Sequence, residues 1–161
     1  MGAVPSDHAA ASVILTSMAS AWGCGDAASY AAVFTPTGIC IVRDGTALVG
    51  REQIEGAHAF VFRTTHKGST LEECRVLSSS RAGEQLLVEA TRTVVRGQKR
   101  NVYDVRMALL QDAGEWRVAH FAAYRAAAHF GALRDTLVYA TAAVGLVAVG
   151  ALLALLLRRR S

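Results

Sequence analysis

The sequence predicts an α+β domain followed by one transmembrane helix. Three observations carry this. Up to His66 apolar residues return at helical spacing. Between Gly68 and Arg125 the period changes to two, in four long runs separated by turn residues. From Thr136 to Leu157 the chain reads "TLVYATAAVGLVAVGALLALLL", without a charge.

The first helix starts at Pro5-Ser6-Asp7, with Ser6 or Asp7 as its N-cap. Val13, Ile14, Ser17, Met18, Ala21 and Trp22 form its core-facing stripe. Gly23-Cys24-Gly25 is expected to end it, because glycine takes the left-handed C-terminal conformation cheaply. Asp26 then caps a second short helix, "DAASYAAVF", whose buried stripe is Ala27, Tyr30, Ala31 and Phe34. Trp22 and Phe34 thus sit on the two arms of a helix–break–helix corner. Thr35-Pro36-Thr37-Gly38 reads as a turn. "ICIVRDG" reads as a strand ending in an Asp-Gly turn that leads into "TALVG". Arg51 to His66 returns to helical period, with Ile54, Ala57, His58, Val61 and Phe62 on one face and Gly68 as the stop.

The runs "STLEECRVLSSS", "EQLLVEATRTVVRG", "RNVYDVRMALLQDAG" and "EWRVAHFAAYR" exceed the usual strand length and predict a strongly curved antiparallel meander. Alternation groups Leu86, Val88, Ala90 and Val94. It likewise groups Tyr103, Val105, Met107 and Leu109, and on the last strand Trp116, Val118, His120 and Ala122.

The uncharged run of 22 residues, at about 1.5 Å each, spans roughly 33 Å, the thickness of a hydrocarbon core. The expected organisation is therefore a domain over 1–130, then a linker and transmembrane anchor over 131–161 with an Arg-rich end. Within the span, Gly150 and Ala154 make one small-xxx-small pair that suits helix association. The net charge of +4 comes largely from this end: of 17 basic residues three are Arg158 to Arg160, leaving 14 against 13 acidic. "RGQKR" is the other basic cluster and reads as a solvated hairpin tip. No basic face interleaved with aromatics appears, so nucleic acid is not an expected partner. Cys24, Cys40 and Cys74 are scattered and odd in number, as expected of packing cysteines in a reducing compartment. The N-terminus "MGAVPSDHAAASVIL" lacks a charged region followed by an apolar one, so no signal peptide is expected. Gly2 and Ser6 match a myristoylation pattern superficially, and Pro5 counts against it. The terminal arginines prefer the cytoplasmic side, but a large domain responds poorly to local charge bias. The expectation is a single-pass membrane protein whose N-terminal domain is cytoplasmic, held by a C-terminal tail anchor.

The order helix, short helix, hairpin, helix, four long strands is joined by particular residues: "AWGCGDAASYAAVFTPTG", "GTALVGREQIEGAHAFVF" and "GEWRVAHFAAYR". Together, over residues 9–125, they resemble the nuclear-transport-factor-2-like superfamily, and most nearly its SnoaL-like (SgcJ/EcaC-type) branch. The shared features are a tryptophan, a Gly-Asp corner, a Phe after the second helix, a Gly-Arg-x-x-Ile helix start and a late Gly-x-Trp-Arg-Val strand. One departure matters: family members often carry an aspartate after the Phe-x-Pro turn, where this chain has Thr37. The resemblance implies a cone-shaped α+β roll, a curved antiparallel sheet and N-terminal helices enclosing an apolar pocket. The thin set of acid–base groups and the departure at Thr37 point to a homodimer through the outer sheet face. Members include isomerases, dehydratases and polyketide cyclases as well as non-catalytic assembly domains, so the fold alone does not choose a function.

Reactions on such a fold move protons beside a carbonyl, and need an acid or base with a tuned pKa and a donor to the oxyanion. The pocket candidates are Trp22, Phe34, His58, Tyr103, Trp116 and His120. His120 shares its face with Trp116 and Val118 and reads either as a pocket base or as a half-buried histidine bonded to backbone. His58, on the apolar face of its helix, reads as a pocket acid or base, or as a core histidine. Tyr103 is a candidate oxyanion donor, the role a tyrosine plays in ketosteroid isomerase, or a sheet-core aromatic. Trp22, Phe34 and Trp116 shape a pocket or simply pack. Asp104 alternates away from Tyr103, towards solvent or a partner, and Asp26 and Asp44 belong to a cap and a turn. The sequence shows no carboxylate pair, metal cluster, nucleophile elbow or phosphate loop, and no cofactor is expected. Two functions follow: a membrane-tethered domain that binds a small apolar molecule, with isomerase, cyclase or dehydratase chemistry, or a non-catalytic dimeric assembly module on the same tether.

Overall fold

The computed structural model describes residues 6–126. Helix α1 (Asp7–Cys24) is opened by Ser6, whose Oγ accepts the Ala9 N–H at 3.2 Å. It runs through Gly23 and Cys24 and is closed by Gly25 alone, at φ 66°, not by the whole Gly-Cys-Gly triplet. Its buried stripe is Ala10, Ala11, Ile14, Leu15, Met18, Ala21 and Trp22. Val13 and Ser17, expected on that stripe, are exposed. Asp26 caps α2 (Ala27–Ala32), accepting the Ser29 N–H at 3.0 Å.

Strand β1 (Phe34–Ile41) begins earlier than expected. Phe34 is its first residue and does not belong to the second helix. Thr35 to Gly38 is not a turn but a bulge inside the strand: Phe34 pairs with Val118 and Ile39 with His120. Gly38 is required there, since a Cβ would lie 2.9 Å from the Val118 carbonyl oxygen. β2 (Ala47–Val49) folds back on β1 as a hairpin. Helix α3 (Arg51–Arg63) stops short of His66 and buries Ile54, His58 and Phe62.

The four long strands are β3 (Thr70–Ala82), β4 (Gln85–Arg96), β5 (Lys99–Asp112) and β6 (Glu115–Arg125). They pair in sequence as an antiparallel meander, and β1 joins β6 in parallel, so the curved sheet is mixed in direction. The order is β2-β1-β6-β5-β4-β3. The helices cover the inner face, and the core lies between, around Tyr30, Phe34, Phe121, Leu86, Leu109 and Val118.

A second bulge, on β6, changes what faces inward. Leu109 pairs with Val118 and Ala108 with His120, so Ala119 is extra. An extra residue in a period-2 strand exchanges the faces beyond it. Val118 points into the core, and after the bulge Phe121 and Ala123 do so. His120 and Ala122, expected to share the face of Val118, do not.

Among the described residues no helix is long and apolar enough to cross a membrane. The expected span, Thr136 to Leu157, lies outside the described residues.

Candidate functional site

A cavity of about 360 Å³ opens between the three helices and the inner face of the sheet. It falls at the small end of the range for small-molecule sites, about 300–1,000 Å³. Each element but β3 contributes to its wall: Trp22 from α1, Tyr30 from α2, His58 from α3, Cys40 and Leu48 from the hairpin, Arg92 and Tyr103 from the sheet. The lining residues Asp44, Thr46 and Thr65 are exposed and mark its mouth.

The cavity's polar centre is Arg92, only 8% exposed. β4 places it there by alternation, on the face of Leu86, Val88, Ala90 and Val94. Its guanidinium lies 4.9 Å from the Phe121 ring centre and 5.4 Å from that of Trp22. Two aromatic faces offset part of the cost of burying a cation. Nη1 donates to the Tyr30 hydroxyl at 3.3 Å, while Nε is buried without a hydrogen-bond partner among the described residues. No described carboxylate forms an ion pair with this guanidinium. The buried polar residues among those described are His58, Ser69, Arg92 and Thr93, a set with one cation and no carboxylate.

The groups around it respond to that charge. Burial pushes the Tyr30 hydroxyl up to about 12, with the Arg92 charge opposing, so it stays protonated. Burial likewise raises the Cys40 thiol to about 11, which leaves it an inert packing group. The His58 ring is stacked on Tyr30 at 4.2 Å between centres. Its Nδ1 lies 2.7 Å from the Ile54 carbonyl oxygen, which can only accept, so Nδ1 carries the hydrogen and Nε2 holds the lone pair. Burial lowers His58 to about 4, with Arg92 and His66 acting in the same direction. His66, on the lining and half-buried, is also lowered: first by burial, then by the charges of Arg92, Arg43 and Arg96. The field at this wall of the pocket is therefore positive.

Trp22 is fixed as a wall by its indole N–H, which donates to the Ser69 hydroxyl at 2.9 Å; that hydroxyl donates in turn to the His66 carbonyl at 2.7 Å. Tyr103 stands opposite Arg92 across the β4–β5 pair and lines the same cavity.

Of the six residues singled out in the sequence, Trp22, His58 and Tyr103 line the cavity. Phe34 lies behind it, fully buried, with its ring 6.1 Å from Tyr30 and 6.2 Å from Phe121. Trp116 lies outside the lining, half-buried, with the Arg81 guanidinium 5.0 Å over its ring. His120 is turned away by the β6 bulge, and Phe121 takes the inward position. Arg92, Tyr30 and His66 were not singled out, although Arg92 completes the apolar alternation of β4. Among the described residues no cluster of His, Cys, Asp or Glu could hold a metal ion.

No family model matches the chain, and no curated protein matches it. Solved structures do. A domain of unknown function with a cystatin-like fold from Nostoc punctiforme PCC 73102 aligns with TM-score 0.69 at 20% identity, over 89% of this chain and 99% of that one. An NTF-2 like protein of unknown function from Shewanella oneidensis MR-1 aligns at 0.62 and 12% identity, over 71% and 95%. A ketosteroid isomerase-like protein from Erwinia carotovora atroseptica SCRI1043 aligns at 0.62 and 14%, over 76% and 98%. At these identities the likeness is one of fold: the chain adopts an NTF2-like roll.

Proposed function

We propose that the roll is a binding domain for a small, mainly apolar molecule, of the SnoaL-like kind, tethered to a membrane by Thr136 to Leu157. The observation that carries this is the cavity itself: aromatic and aliphatic walls converge on a few fixed polar groups. A tether of this kind would hold the pocket where apolar molecules partition, with the domain on the cytoplasmic side.

The polar groups suit one class of chemistry, proton transfer beside a carbonyl, as in isomerases, cyclases and dehydratases. Arg92 and Tyr30 can stabilise negative charge on an oxygen, and His58 Nε2 can take a proton. A histidine lowered to about 4 is a weak base at neutral pH, so binding is the primary property to test. Native mass spectrometry of the full-length chain, released gently from its host, tests it. A reproducible mass excess corresponding to one small molecule is expected. An empty chain that also binds no apolar probe sinks the reading.

A second reading is favoured by one observation. Leu87 and Val102, on strands of the meander, are 42% and 47% exposed, and Leu77 on β3 is 57% exposed. Such side chains suit a homodimer through the outer sheet face, with the pocket as a structural by-product. A chain that stays monomeric at high concentration argues against it.

A further inference from the structure

The cavity's buried cation, Arg92, points to the chemistry of what fills it. A guanidinium has five N–H donors in a planar fork. The Trp22 and Phe121 ring centres lie 5.4 and 4.9 Å from the Arg92 guanidinium carbon, so its hydrogen-bonding N–H groups are what remain for a ligand. Nη1 is engaged by Tyr30, and Nε is a buried donor with no partner among the described residues. A buried donor left unmade is costly, and a buried charge without a counter-charge more so. Native interiors seldom keep such a group unless something fills it. The other residues on the lining do not supply an anion: Asp44 is the acidic one among them, and it is exposed at the mouth, with its Oδ1 accepting the Thr46 N–H at 3.0 Å.

The geometry also says which anion. Nε is closed off from the cavity, so an acid reaches the guanidinium through its terminal N–H groups, which take two oxygens of a planar carboxylate side by side. A phosphate carries more charge and more acceptor oxygens than one guanidinium and one hydroxyl satisfy. Much of the wall is apolar: Leu48, Val61, Val94, Phe121 and Ala123 also line the cavity. The field of Arg43 and Arg96, felt at His66, extends the positive potential along the lining.

We propose that Arg92 is the anion seat of the cavity, and that the ligand is a small apolar organic acid whose carboxylate meets the terminal N–H groups of the guanidinium while its hydrocarbon body fills the aromatic pocket. This rests on the reading of the cavity as a binding site and adds the class of ligand.

The test compares acids with their uncharged isosteres: octanoate with octanamide, and phenylacetate with phenylacetamide. Binding to the full-length chain is followed by calorimetry and by Trp22 fluorescence, with Trp116→Phe removing the second tryptophan. The acids should bind about ten- to a hundredfold more tightly than the amides, the range for a charged hydrogen-bonded contact. Arg92→Met should abolish that ratio while leaving amide binding in place. Equal affinity of acid and amide in the unaltered chain overturns the assignment and leaves the binding site standing. So does an acid preference that survives Arg92→Met. Protection of the site by inorganic phosphate but not by the acids assigns the seat to phosphate and overturns the carboxylate. Failure of acids and amides alike removes the binding site and the assignment together. The acid-to-amide ratio is read in the unaltered chain, so the test stands even where the substitution fails to fold.

Discussion

The guanidinium of Arg92 lies 4.9 Å from the centre of the Phe121 ring, and the β6 bulge is what brings them together. Were Ala119 paired in regular alternation, without the bulge, His120 would face Arg92's side of the sheet, adding a titratable group where the cavity has a hydrocarbon wall. On the binding proposal, this charge on a ring is held for a ligand and not for stability.

That distinction predicts opposite consequences for the two partners. Arg92→Met keeps the apolar stem and removes a buried charge without an ion-pair partner. Its stability should fall within about 1 kcal/mol of the parent or above it. Phe121→Ala opens a cavity at a fully buried site and should cost about 3–5 kcal/mol. Urea unfolding midpoints with unchanged slopes measure both. A loss of several kcal/mol in Arg92→Met would make the arginine a structural member of the core.

His58 sets a pH dependence of known sign. Its folded value of about 4 lies below the ordinary 6.5. The fold favours the neutral ring, so as pH falls the unfolded chain takes up the proton first. The stabilisation is complete above pH 6.5, is lost progressively between 6.5 and 4, and declines no further below that. The loss is on the order of 3 kcal/mol. His66 and His120 are also lowered and add to it. Unfolding curves of the parent and of His58→Phe across this range isolate the His58 share. Parallel pH profiles would contradict its buried, neutral state.

His120 should be dispensable to the cavity. His120→Ala is expected to leave ligand affinity unchanged and stability within about 1 kcal/mol. A calorimetric titration of the variant with octanoate checks this. A tenfold loss of affinity would place His120 at the pocket and contradict the β6 bulge.

The turn between β5 and β6 carries a removable strain. Ala113 adopts φ 51° and Gly114 φ 84°, the sense of twist that hairpins prefer and that alanine tolerates poorly. Ala113→Asn should raise stability by about 0.5–1 kcal/mol, visible as a rise in Tm. An unchanged or lower Tm would show that the side chain is not what limits the turn.

The sequence exposed its elements where one signal acted alone. Asp26 had a single reading, as a cap, and the meander's alternation was uninterrupted on β4 and β5. It misled where two signals competed. Pro36 and Gly38 are turn residues, yet here they make a bulge within β1, because Arg51 Nε donates to the Phe34 carbonyl at 2.6 Å and Phe34 pairs with Val118. On β6, "VAHFA" offers two apolar residues, Val118 and Phe121, three apart. No period of two places both inward, and that mismatch is the trace of the bulge in the sequence. Arg92 was legible by the same alternation that grouped its neighbours. A charge on that apolar face marks the group around which the cavity is built.

The most direct test is the set of Arg92 guanidinium N–H resonances of the full-length chain, observed by proton–nitrogen correlation spectroscopy while octanoate and then octanamide are added. The account predicts a downfield movement of the terminal N–H groups that saturates with octanoate and is absent with octanamide, as they acquire carboxylate oxygens. Resonances that stay in place at saturating octanoate would contradict it.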